Sequence, residues 1–156
     1  MLYYLLSALL IVVDQLVKVR VRASIPLGQS IPFLPGVMDL TYIQNTGAAF
    51  SSFSSLTWLL ALVSLLASVA VAVLMARKIF TRPLGQFSLA LILAGAVGNL
   101  IDRALLGFVT DMFQTTFMNF AVFNVADICV VAGGILMVIY VLFFYDRQEE
   151  AKHDAP

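Results

Sequence analysis

The sequence predicts an all-α membrane protein, built of four transmembrane helices with a small extracytoplasmic β-element in the first long loop. Three observations lead to that fold class. Of the 156 residues 62% are hydrophobic and only 12% charged, with a mean hydropathy of +0.99, whereas soluble domains are about 45–50% apolar. Four apolar runs reach or approach the roughly 20 residues that cross a ~30 Å hydrocarbon layer at 1.5 Å per residue. The intramembrane acids, finally, gather toward one end of these runs. The length fits one membrane domain, residues 1–146, with a charged cytoplasmic tail, residues 147–156.

The first run, Leu2 to Arg20, is apolar through Val13 and then carries Asp14, Gln15 and Lys18. No basic segment precedes Leu2 and no convincing small-x-small site follows, so a retained helix is expected rather than a cleaved leader. Residues 23–55 form the longest connection. Pro26, Gly28, Pro32, Pro35 and Gly36 break helices there, while Met38 to Gln44 alternates as a strand would. The second run, Leu56 to Ala76, has no charge at all, and a short basic loop with Arg77, Lys78 and Arg82 follows it. The third, Phe87 to Leu106, is apolar until Asn99. The fourth, Ala121 to Tyr145, has Asn124 and Asp127 in its first two turns. Tyr3, Tyr4, Trp58, Tyr140 and Tyr145 lie near the ends of runs, where amphipathic rings favour the interface.

The tail from Asp146 onward is expected to fray. Placing it and the Arg77–Arg82 loop in the cytoplasm puts both termini inside, with five Lys/Arg against four elsewhere, the arrangement the positive-inside rule favours. Zero net charge gives no reason to expect a nucleic-acid partner. Cys129 has no partner cysteine and is expected to be a small packing residue. The chain carries no cofactor or metal motif.

A carboxylate facing lipid at a helix centre costs about 2.5–3.5 kcal/mol, so the acids must face a polar site or one another. At 1.5 Å per residue, Asp14 and Asn99 lie about 18–20 Å into their runs and Asp102 about 24 Å, while Asp127 enters from the opposite side. In an antiparallel four-span bundle all of them fall at one level. The long loop opens on that face, as does the Gly107–Phe120 connection that carries Asp111.

Asp14 and Lys18 are four apart on one helix face, which fits either an ion pair or an Asp14 brace with Lys18 reaching outward. Asn45-Thr46-Gly47-Ala48-Ala49-Phe50 reads as a turn, or as small residues that let a ligand approach the backbone. Gly95, Gly98, Asn99, Asp102 and Arg103 share a helix face; the glycines fit close packing, and Asp102 and Arg103 fit a pair. Asp111 and Asp127 are harder to explain structurally. Neither has a cation nearby in sequence, and two carboxylates at one level are best explained if they share a proton. Such a dyad supplies one base to take a proton from water and one acid to protonate a carbonyl oxygen. The only histidine, His153, is in the tail, which removes Ser-His, Cys-His and His-zinc chemistry. A Ser-Lys pair would need Lys18, which Asp14 already engages.

These residues together resemble the bacterial lipoprotein signal peptidases, signal peptidase II, over nearly the whole chain. The matching blocks are Asp14 to Lys18, Asn45 to Phe50, Gly98 to Arg103, Val109 to Asp111 and Phe123 to Asp127. Ala94 and Met112 depart from the family pattern, which often has glycine and phenylalanine there. The resemblance implies an aspartic endopeptidase of the bacterial cytoplasmic membrane with Asp111 and Asp127 as its dyad. It also implies supporting roles for Asp14, Lys18, Asn45, Gly47, Gly98, Asn99, Asp102, Arg103 and Asn124. The implied substrates are prolipoproteins, cut before a diacylglyceryl cysteine near the outer face. Membrane lipids and globomycin-type inhibitors are the other implied partners, and a monomer is expected. The alternative is a non-enzymatic membrane subunit whose acids line an ion path. A path needs ionisable groups at several depths, and the inner halves of the runs have almost none.

Overall fold

The computed structural model describes residues 1–47 and 57–153, with side chains described through Tyr145. Ala48, Ala49 and Phe50 of the small-residue block, Leu56 at the head of the second run and residues 154–156 lie outside the described residues. Four helices are long and apolar enough to cross a membrane, at mean hydropathy 1.8, 2.7, 1.7 and 2.6. They are α1 (Leu2–Ser24), α2 (Thr57–Ala76), α3 (Pro83–Leu106) and α4 (Val125–His153). Three strands, β1 (Ser30–Leu34), β2 (Met38–Asn45) and β3 (Val109–Thr115), form one antiparallel sheet in the order β1-β2-β3.

The central helix is α3, which packs against each of the other three. Its membrane window is 56% buried against 17% for the others, and the small residues Ser88, Ala90, Ala94, Gly95 and Gly98 are among those it buries. Adding a Cβ at Gly95 would drive it into the Ala126 carbonyl and to 2.6 Å from Val130 Cγ2 on α4. On the other side Val71 and Met75 of α2 close over Leu89, Ala90 and Leu93. Pro83 opens α3 as a first-turn residue whose missing N–H costs nothing there. Gly107 ends it in the left-handed conformation, φ 79°, with its N–H on the Arg103 carbonyl. That reversal sends the chain straight into β3.

The sheet contains more of the chain than the alternation of Met38–Gln44 indicated. Its third strand comes from the connection between α3 and α4, so Asp111 stands on a strand and not in a loop. Ile43 lies opposite Asp111 and Asn45 opposite Val109, which puts Asn45 and Asp111 diagonally on one face. Val21 of α1 and Ile25, which caps its C-terminus, pack against Tyr42 and Met112, and so fasten the sheet to the bundle. Met112, one of the two departures from the family pattern, is completely buried there.

Three other expectations need correction. Helix α4 starts at Val125, not Ala121, because Asn124 caps it. It also continues as a helix to His153, through the segment expected to fray, since no Gly or Pro interrupts residues 146–153. Tyr140 is no interface ring. It is fully buried, edge-on to Phe80 at 5.5 Å between ring centres and beside Gly85. Tyr4 and Trp58 are exposed, as interface residues would be, and Cys129 is buried as a packing residue.

The close α3–α4 approach predicts a sharp contrast between two glycines. Gly95→Ala should lower stability by about 1–3 kcal/mol through overpacking. Gly134→Ala, where a Cβ meets nothing within 4 Å, should leave stability unchanged or raise it by up to about 1 kcal/mol. Thermal unfolding of the detergent-solubilised chain measures both, and equal effects would mean that the helices do not pack as described.

Candidate active site

The polar residues meet where α3, α4 and the end of the sheet converge, and the local structure of α4 explains how Asp127 is held. A helix start leaves backbone N–H groups without intrahelical acceptors. The Asn124 side chain takes the N–H of Asp127 at 2.9 Å, and the Asp127 carboxylate takes the N–H of Asn124 at 3.1 Å through Oδ2. This is a capping box, with asparagine and aspartate in the reciprocal positions. Of the two N–H groups between them, that of Ala126 goes to Asp14 Oδ1 at 2.9 Å. Asp127 is therefore fixed by the helix start itself, in the positive field of the helix N-terminus.

Asp111 arrives from β3 and is 3% exposed. Its Oδ1 accepts from Asn124 Nδ2 at 2.7 Å and its Oδ2 from Asn45 Nδ2 at 2.9 Å. Asn99 Nδ2 donates to Asp127 Oδ1 at 2.8 Å, and Asn99 Oδ1 accepts from Asn124 Nδ2 at 3.2 Å. The two carboxylates are thus bridged by Asn124 and Asn99. Burial pushes the Asp111 carboxyl up to about 6, with the charge of Asp127 adding to the rise; the Asn45 and Asn124 donors and the more distant Lys18 oppose it. Arg103 lies within electrostatic reach of Asp127, Asp111 and Asp102. Its guanidinium also contacts the Gly47 carbonyl and Ser64 Oγ at 3.4 and 3.5 Å, while its buried Nε has no hydrogen-bond partner among the described atoms.

Behind this layer lies a second one. Lys18 is 0% exposed, 2.9 Å from Asp14 Oδ2 and 3.4 Å from Asp102 Oδ2. It also donates to Asn99 Oδ1 at 3.0 Å and to the Gly98 carbonyl at 3.4 Å. The ion-pair reading of Asp14 and Lys18 holds, and the outward reach of Lys18 does not. Nor do Asp102 and Arg103 form a pair. Adjacent helical residues point to different sides, so Asp102 turns to Lys18 and to Arg22 at 3.9 Å and accepts the Thr110 N–H at 2.9 Å. Gly98 is required by space: a Cβ there would stand 2.7 Å from Asp14 Oδ2.

Three participants escaped the sequence reading. Gln15 Nε2 reaches Asp14 Oδ2 at 3.1 Å, the Gly98 carbonyl at 3.0 Å and Asp102 Oδ1 at 3.3 Å. Arg22 donates to Thr110 Oγ1 at 2.8 Å. Ser64 meets Arg103 from α2. A glutamine beside Asp14 in an apolar helix was a usable signal for the first; the other two depend on the fold. Among the described residues no three His, Cys, Asp or Glu side chains group as a metal site.

In front of the carboxylates opens a cavity of about 630 Å³. Asn45, Asn99, Arg103, Asp111 and Asp127 form its polar end, and Phe120, Phe123, Ile128, Val131 and Ile135 are among its apolar walls. An apolar cleft with a few convergent polar groups has the form of a ligand site.

Fold and site together define a multi-pass membrane protein with a paired-carboxylate centre at one end of its bundle. Residues 6–143 match the family model described as signal peptidase (SPase) II. A lipoprotein signal peptidase of Enterococcus faecalis is 39% identical over 151 residues, covering 97% of this chain and 94% of that one. One of Clostridioides difficile is 43% identical over 148 residues, covering 94% and 99%. Two bacterial membrane enzyme structures determined by the in meso method, both 27% identical, superpose with TM-scores of 0.85 and 0.83 and cover 90% and 91% of the chain (87% and 93% of their own). The chain belongs to the signal peptidase II family, and with it to the membrane peptidases.

The buried Asp111 makes stability depend on pH. Unfolded, this carboxyl releases its proton near 3.8; folded, it keeps it to about 6. The folded state binds the extra proton between those values, so the contribution of Asp111 is largest below pH 3.8 and is lost as pH rises through 6. Asp111→Asn, which does not titrate, should gain on wild type by up to about 3 kcal/mol between pH 4 and pH 7. Unfolding measured across that range tests this, and a wild-type-to-variant difference independent of pH would refute it.

Proposed function

We propose that this chain is an aspartic endopeptidase that hydrolyses the bond preceding a diacylglyceryl-modified cysteine in prolipoproteins, with Asp111 and Asp127 as the reacting pair. The observation that carries the proposal is the placement of the two carboxylates. They come from different elements, are bridged by amides and stand together at the polar end of the 630 Å³ apolar cavity.

One carboxylate takes a proton from water as its oxygen attacks the scissile carbonyl carbon, and the other carboxyl gives its proton to the carbonyl oxygen. The gem-diol then collapses: the first carboxyl gives the proton it took from water to the leaving nitrogen as the C–N bond breaks, and a gem-diol hydroxyl returns its proton to the other carboxylate, which restores the pair. The amide donors of Asn45, Asn99 and Asn124 keep both carboxylates in place through these transfers. A buried Arg103 Nε with no partner among the described atoms offers a donor to substrate at the same end of the cavity. A lipid anchor holds the scissile bond at a set depth and supplies part of the orientation entropy in advance.

The apolar walls suit a signal peptide or a lipopeptide inhibitor of the globomycin type. We place both termini in the cytoplasm and the site near the extracytoplasmic face, with the sheet at that surface among lipid headgroups, and take the working unit to be a monomer.

With a lipidated prolipoprotein as substrate, Asp111→Asn and Asp127→Asn should each lower kcat by at least about 100-fold, with the inserted and folded amount checked in parallel. A variant that still cleaves near the wild-type rate would remove that residue from the pair. The topology has its own test. A cysteine introduced at Ser30, exposed on β1, should react with an impermeant maleimide added to intact cells, and labelling only after lysis would invert the orientation.

A further inference from the structure

Asn45, Asn99 and Asn124 each turn an NH₂ group toward the carboxylate pair, and an amide can do so only if something prevents it from turning over. For Asn45 and Asn124 the restraint is local backbone. The Gly47 N–H occupies Asn45 Oδ1 at 3.0 Å, and the Asp127 N–H occupies Asn124 Oδ1 at 2.9 Å. Among the described residues no backbone donor meets the Asn99 oxygen. Its Oδ1 faces the Lys18 ammonium at 3.0 Å and the Asn124 amide at 3.2 Å. An ammonium group only donates, so the atom it meets must be the amide oxygen and the NH₂ must then face Asp127. The Asn124 bond points the same way, but it is neutral and longer, and its nitrogen also serves Asp111 at 2.7 Å.

The charge does more than orient. A cation on the amide oxygen draws electron density from the nitrogen and strengthens the N–H donated at the other end. The chain of bonds runs from Lys18 Nζ to Asn99 Oδ1 and from Asn99 Nδ2 to Asp127 Oδ1 at 2.8 Å. The second oxygen of Asp127 accepts the Asn124 backbone N–H. Both oxygens of Asp127 thus accept from nitrogen donors, one of them reinforced by a buried positive charge. Asp111 receives two side-chain amides, from Asn124 at 2.7 Å and Asn45 at 2.9 Å.

We propose that Lys18 is a positioning residue that, through the Asn99 amide, holds Asp127 as the ionised member of the pair. Asp127 then takes the proton from water, and Asp111 holds the proton that goes to the carbonyl oxygen. The inference rests on the two aspartates being the reacting pair and adds which of them is base and what sets it. The charged groups that face this relay are Asp14 on α1, Asp102 and Arg103 on α3 and Asp111 on β3, with Arg22 behind Asp102.

Losing Lys18 removes the cation behind the Asn99 amide and should move the acid limb of the kcat/KM profile to higher pH. Lys18→Met alone leaves two buried carboxylates, Asp14 and Asp102, with Arg22 as the remaining cation beside Asp102, so it is made both alone and with Asp14→Asn, which removes the excess charge and keeps an acceptor for the Ala126 N–H. Cleavage of a lipidated prolipoprotein by the full chain is followed against pH in each background, with and without Asn99→Ala. The limb should rise by about half a unit or more when Lys18 is replaced, kcat should fall at least about tenfold, and KM should change little. With Asn99→Ala present, replacing Lys18 should move the limb by less than half as much.

An unmoved limb, or the same shift with and without Asn99, would overturn the proposal. So would failure of Lys18→Met to fold even in the charge-balanced background, since Lys18 would then serve the fold alone. None of these results touches the dyad itself, which stands or falls with Asp111→Asn and Asp127→Asn.

Discussion

The structure depends on a lysine buried among four acceptors. Lys18 joins Asp14 of its own helix to Asp102, Asn99 and the Gly98 carbonyl of α3. Its two carboxylate partners extend the connection further, Asp14 to the first turn of α4 and Asp102 to the Thr110 N–H of β3. One ammonium group thereby registers three helices and a strand against one another. In hydrocarbon there is little hydrophobic force between helices, so polar contacts of this kind decide their register. Charge balance is essential to it. A buried pair adds little over an apolar replacement, but removing one partner of such a pair costs about 3–5 kcal/mol.

Polar groups here are layered by depth within the bundle. The inner layer of Asp14, Gln15, Lys18, Asp102 and Arg22 neutralises itself and satisfies backbone groups. The outer layer of Asn45, Asn99, Asn124, Asp111 and Asp127 presents donors to two carboxylates at the cavity. Asn99 belongs to both, with its oxygen in the first and its nitrogen in the second. The placement of Asp127 in a capping box means that the residue we assign to chemistry also stabilises the helix that carries it. Asp111 is the opposite case, a carboxyl that burial holds protonated up to about 6; such local instability is common where reactivity is needed.

Access follows from the same geometry. The aspartates face a cavity walled by α4 and the Phe120–Phe123 segment, and a smaller one of about 270 Å³ between α2, α3 and α4 also reaches Asn99, Arg103 and Asp127. Small residues line that second space, among them Ser64, Ala67, Gly95 and Ala96. Gly95 thus serves the α3–α4 contact and leaves room at the edge of the site.

By itself the sequence determined the membrane class, the four spans and the level at which the acids meet, because hydropathy and rise per residue act along the chain. The Asn124-x-x-Asp127 spacing was legible too, although its meaning as a capping box depended on where the helix begins. Alternation in Met38–Gln44 revealed one strand, but β3 was hidden, since Val109–Thr115 becomes a strand by pairing with residues about seventy positions earlier. Only the tertiary structure decided the partners of each charge. Asp102 stands next to Arg103 in sequence yet pairs with Lys18, because a helix turns neighbours apart and brings residues on facing helices together. The orientation of each amide at the carboxylates likewise comes from donors that the fold, and not the local sequence, places on its oxygen.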